Sequence, residues 1–119
     1  MSNEHLKSSI MNLMNFYKKN VTFAEIERLL NNQKISVNGS YRFYFPGNQS
    51  IIIWEGMSEE FAQALEELIF VDKVITLKVS HEKYYFLDGK VLNLKPTYNF
   101  KGIYKKERWL PTFIELGSI

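Results

Sequence analysis

The chain has no cysteine, only two histidines, three prolines and six glycines in 119 residues. The missing cysteine excludes disulfides, thiolate metal sites and a cysteine nucleophile. Apolar runs are short: Ile51-Ile52-Ile53-Trp54 and Leu68-Ile69-Phe70-Val71 fall far below the roughly 20 residues that span a bilayer. Met1-Ser2-Asn3-Glu4-His5 lacks the basic start and apolar stretch of a secretion signal, so a cytoplasmic location is expected. Without secretion, the patterns Asn38-Gly39-Ser40 and Asn48-Gln49-Ser50 are chance matches to a glycosylation signal. Catalytic signatures are also missing. There is no glycine-rich phosphate loop, no G-x-S-x-G elbow and no H-E-x-x-H. His5 and His81 lie far apart, and no acidic spacing offers them partners as metal ligands or as a base. The expectation is therefore a non-enzymatic protein with no cofactor and no metal.

What is present is a globular composition, 45% apolar and 15% aromatic, at the size of one domain. The formal charge of +2 conceals a split. Residues 1–72 hold six Lys/Arg against nine Asp/Glu, whereas residues 73–119 hold nine against four. Such a basic half suits an anionic partner, nucleic acid first and an acidic protein second; the plain alternative is a solvated lysine-rich surface.

Leu6, Ile10, Leu13, Met14 and Tyr17 fall on one helical face, with Lys18 and Lys19 at its end. After Asn20-Val21, Thr22-Phe23-Ala24-Glu25 reads as a capping box for a second helix with the face Phe23, Ile26, Leu29, Leu30, ending near Asn31-Asn32. Tyr41–Phe45 predicts a strand, closed by Pro46-Gly47-Asn48 and answered by Ile51–Trp54. Ser58 caps a third helix over 58–70, with Phe61, Ala64, Leu65, Leu68 and Ile69 inward and Glu59, Glu60, Glu66 and Glu67 outward. Those glutamates fit a solvated face better than a cation site. Val74–Val79 alternates as a strand, and Tyr84–Leu87, Asp88-Gly89 and Lys90–Leu94 predict a hairpin with a two-residue turn. Such a hairpin is apolar on both faces and needs cover from the chain's own tail or from a partner. From Lys95 the period is lost, but Tyr98, Phe100, Ile103, Tyr104, Trp109, Leu110 and Phe113 predict a tail that packs back. The expected layout is one α+β domain: a core over 1–94 and a basic aromatic tail over 95–119. It has three helices and small antiparallel hairpins, and Trp109 is buried against the second hairpin.

Aromatic and basic residues interleave at two places. Arg42 and Tyr44 share one face of their strand, where a guanidinium beside a phenol suits a phosphate and a base; the alternative is Arg42 snorkelling from a half-buried strand. In Tyr104-Lys105-Lys106-Glu107-Arg108-Trp109, lysines can neutralise phosphates while the rings stack on exposed bases. The candidate nucleic-acid-binding set is Arg42, Tyr44, Lys90, Lys95, Lys101, Tyr104, Lys105, Lys106, Arg108 and Trp109.

The order helix, helix, strand, helix, strands and hairpin over residues 5–94 resembles winged-helix domains, and the resemblance puts Asp88-Gly89 at the wing tip. The acidic rim of the third helix argues against that helix reading a major groove. Tyr85-Phe86-Leu87-Asp88-Gly89 with Leu92-Asn93-Leu94, followed by Arg108-Trp109-Leu110-Pro111, resembles the C-terminal half of small accessory proteins of Gram-positive phages and other mobile elements. Some of these work beside replication enzymes. That resemblance implies a protein partner besides nucleic acid, or an adaptor or inhibitor of a host or replication enzyme without nucleic acid. No membrane partner is expected, and the sequence leaves the oligomeric state open.

Overall fold

The stripe Leu6, Ile10, Met14 folds as expected into α1 (Asn3–Tyr17) in a computed structural model that describes residues 3–117. Residues 1–2 of the expected N-terminal segment and 118–119 of the expected tail lie outside the described residues. Lys18 and Asn20 take left-handed backbone conformations that turn the chain into β1 (Val21–Thr22). Thr22 then caps α2 (Phe23–Asn32), its Oγ1 accepting the Glu25 N–H at 3.0 Å.

The aromatic strand and its return are longer than the sequence suggests. β2 (Asn38–Phe45) and β3 (Asn48–Met57) pair antiparallel around Pro46-Gly47, with Gly47 at φ 77°. Ser58 caps α3 (Glu59–Glu66), which continues as a π-helical turn over Glu67–Val71. Lys7 reaches this turn from α1, 2.7 Å from Asp72 and 3.1 Å from Glu67, and these hydrogen bonds, Asp72 first, push the lysine up to about 12.

β4 (Ile75–Val79) and β1 flank β6 (Thr112–Leu116) in one antiparallel sheet, while β5 (Arg108–Trp109) adds in parallel to β3 in the other. The expected tail is therefore structural: β6 is the central strand of its sheet, and Trp109, Leu110 and Ile114 are core residues.

The hairpin over 84–94 is not formed. Glu82–Asp88 is a fourth helix, α4, capped by the His81 ring, whose Nδ1 accepts the Lys83 N–H, and ended by Gly89 at φ 84°. Asp-Gly supplies the positive φ that a tight hairpin needs, and a helix C-cap needs the same φ. Burial decided between them. Tyr84 to Leu87 has no period of two, and the helix sends Tyr85 inward while Leu87 stays 81% exposed. The wing of the winged-helix pattern is thus absent at Asp88-Gly89, and among the described residues a mixed α+β fold with four α-helices and two three-stranded sheets stands in place of the three-helix layout.

Tyr85 is a hub of the core. Its ring packs on Trp54 (5.0 Å) and Trp109 (5.1 Å); its hydroxyl donates to Thr112 O (2.6 Å) and accepts the Phe23 N–H (3.1 Å). Burial pushes this hydroxyl well above the ordinary tyrosine value, against the lowering effect of the Phe23 N–H bond. The folded chain therefore holds its proton where the unfolded chain releases it, so stability is full below about pH 10 and falls as pH rises beyond it. Melts in alkaline buffers should show that fall. Tyr85→Phe should flatten it, while costing about 1–3 kcal/mol at neutral pH for the unpaired backbone groups. An equally steep alkaline fall in Tyr85→Phe would assign it to another group.

Candidate nucleic-acid interface

Residues 95–108 form a loop whose two ends are tied side by side. The Trp109 N–H donates to Lys95 O (3.0 Å) and the Thr97 N–H to Trp109 O (2.8 Å). Within the loop, the Thr97 and Tyr104 hydroxyls bond at 2.7 Å, and the Tyr104 N–H donates to Ser50 Oγ at 3.2 Å. Asn48 Nδ2, from the start of β3, donates to Gly102 O at 2.7 Å. Gly102 lets the Tyr104 ring lie close over the backbone: a Cβ there would be 2.5 Å from the Tyr104 hydroxyl oxygen.

At the base of this loop, a cleft of about 550 Å³ is lined by Lys95, Lys105, Lys106 and Arg108, with Glu107, Asn93 and Leu94. The Arg108 guanidinium sits 4.8 Å from the Tyr104 ring centre, a cation–π contact that fixes its direction. Glu107 is the one carboxylate here, and it is already engaged. Arg42 Nη1 donates to it at 2.7 Å and the Tyr44 hydroxyl at 3.3 Å, while Arg42 Nε donates to Glu55 at 3.1 Å. Among the described residues, no carboxylate lies within ion-pairing distance of Lys95, Lys101, Lys105, Lys106 or Arg108. The cleft is left with a concentrated positive field that an anion can satisfy.

The candidate residues separate into two groups. Lys95, Lys105, Lys106 and Arg108 line the cleft, Tyr104 braces it, and Lys101 stands exposed farther along the loop. The other four are committed to internal contacts. Arg42 and Tyr44 do share a face, but they hold Glu107 and so fasten the loop to β2. Lys90 bonds the buried Glu27 at 2.8 Å and lies over the Trp54 ring. Trp109, 1% exposed between Trp54 and Tyr85, has no free ring face to stack on a base. Its burial agrees with the sequence-based expectation, although α4 and β3 cover it in place of the expected hairpin over 84–94.

Sequence reasoning assigned Tyr98 and Phe100 to packing, yet both are half-exposed on the loop. The legible signal was Tyr98-Asn99-Phe100-Lys101 between Pro96 and Gly102, a basic and aromatic run inside turn residues. A second cavity of about 380 Å³ lies near Thr22, Glu25, Lys78, Tyr84 and Asp88. Burial first, and Asp88 second, raise the Glu25 carboxyl above its ordinary value. The Thr22 hydroxyl donates to Asp88 (2.5 Å) while capping α2, so these groups join the start of α2 to the end of α4. Among the described residues, no cluster of three or more His, Asp or Glu is placed to hold a metal ion, and no helix is long and apolar enough to cross a membrane. No family model, curated protein or solved structure matches this chain.

Proposed function

We propose that this protein binds single-stranded or non-specific nucleic acid through the cleft at 95–108, as a non-enzymatic accessory protein working beside a replication-type protein. The observation that carries the reading is the set of four cations around one cleft, with the only local carboxylate drawn away by Arg42 and Tyr44. Each phosphate held there releases counterions, so affinity falls with salt by a slope of roughly 0.7 per phosphate on single strands.

Fluorescence anisotropy with a labelled oligonucleotide, at low and at moderate salt, tests it. Lys105→Ala with Lys106→Ala should weaken binding and reduce the salt slope by roughly 1.4, two phosphates at about 0.7 each. Absence of binding by the parent at micromolar protein in low salt overturns the proposal. A second reading, a protein-binding adaptor or inhibitor, draws support from Phe86 and Leu87, which α4 leaves uncovered. Capture of one stoichiometric protein, persisting after nuclease treatment, would favour it.

A further inference from the structure

We infer that Tyr98 and Phe100 form a two-ring stacking platform for unpaired bases, which makes single strands the preferred form of the nucleic acid. The inference rests on the phosphate-binding reading of the adjacent cleft and names its substrate class.

Each ring is braced from behind and open in front. Tyr98 stacks on the His81 ring at 5.5 Å with 14° between planes, and Phe100 lies on Phe45 at 5.3 Å with 30° between planes. Even so, Tyr98 is 46% and Phe100 41% exposed. An aromatic side chain that only filled the core would not keep so much surface in water on a loop this firmly held. The backbone beneath them is fixed: the Asn99 N–H donates to Thr97 Oγ1 (3.2 Å), the Lys101 N–H to Asn99 Oδ1 (3.1 Å), and Asn48 Nδ2 holds Gly102 O. The rings are therefore placed before any ligand arrives, which lowers the ordering cost of binding.

Charge selects nucleobases over other flat apolar groups. Tyr98 follows Thr97, whose hydroxyl bonds the same Tyr104 that carries the Arg108 guanidinium of the cation-lined cleft, so the rings and those cations stand on one loop. Lys101 Nζ lies 6.0 Å from the Phe100 ring centre, a loose contact from which it can turn to a phosphate. Rings for base faces beside cations for the backbone are what sequence-tolerant single-strand binding requires, whereas a duplex keeps its base faces stacked on each other.

The test compares an unstructured single-stranded oligonucleotide with the duplex of the same sequence, by anisotropy at one salt concentration, for the parent and for Tyr98→Ala and Phe100→Ala. The parent should prefer the single strand. Each variant should lose about 5- to 150-fold on the single strand, matching about 1–3 kcal/mol per stacked base, and little on the duplex. The salt slope should stay unchanged. Tyr98→Phe should retain affinity, and Phe100→Leu, which keeps an apolar contact with Phe45, should still lose it; circular dichroism melts identify any variant that fails to fold. Equal binding of both forms, with the two alanine variants like the parent, overturns the platform while the cleft reading stands. Failure of the parent to bind either form overturns both.

Discussion

Trp109→Ala should lower the melting temperature by about 10–20 °C, the largest single effect expected in this molecule. The indole is 1% exposed, with its ring 6.3 Å from Trp54 and 5.1 Å from Tyr85. Truncation removes one of the two indoles packed at the junction of β3, β5 and α4 and leaves a cavity there. Losses of about 3–5 kcal/mol are typical for such a change, against a total stability of about 5–15 kcal/mol. Trp109 Nε1 is buried without an acceptor among the described residues, so Trp109→Phe discards an unpaired donor along with some volume and should cost much less. Lys105→Ala with Lys106→Ala, on the exposed loop, should melt like the parent. Thermal melts of the three variants check the order. A parent-like melt for Trp109→Ala would mean that the indole is not anchored in solution.

The second large effect is expected at Glu27. This carboxylate, with a side chain only 5% exposed, accepts from Trp54 Nε1 at 2.7 Å and from Lys90 Nζ at 2.8 Å. Glu27→Ala should cost about 2–4 kcal/mol, because it strands the indole N–H in the core and opens a gap beside it. Glu27→Gln keeps an acceptor for Trp54 and should cost less. Lys90→Met is the sharper probe, since it leaves a buried carboxylate facing one neutral donor. Breaking a fully buried pair costs about 3–5 kcal/mol, and the lower end applies here because Lys90 stays partly in water. Denaturant unfolding should rank Lys90→Met as more damaging than Glu27→Gln. Equal or reversed costs would show that the charge pair contributes little beyond the indole hydrogen bond.

Where the sequence could be read, capping chemistry and period carried the signal. Thr22 and Ser58 start their helices as expected, and Pro46-Gly47 turns β2 into β3. Asp88-Gly89 misled because positive φ serves two motifs, and only the burial of Tyr85 chooses between them. Glu27 was readable in part: four residues after Phe23 and three before Leu30, it falls on the apolar stripe of α2. Its partners, Trp54 and Lys90, are distant in sequence and could not be found by spacing. The cleft was legible as composition, since the lysines of 95–108 stand out. The neutralisation of Glu107 by Arg42 and Tyr44, which separates cleft lysines from structural ones, exists only once β2 meets the loop.

The position of β6 governs how the chain can acquire this structure. Val21 lies opposite Ile114, and Ile75 lies opposite Leu116, so neither flanking strand has a sheet to join until residues 112–116 are synthesised. On a ribosome, β1 and β4 emerge without the strand they pair with, and β1 must wait for closure of a loop that spans most of the chain. Non-local pairing of this kind slows folding and prolongs exposure of sticky surface. A nascent chain stalled before Thr112 would therefore be a substrate for chaperones or proteases, because β1 and β4 complete their sheet only when β6 arrives.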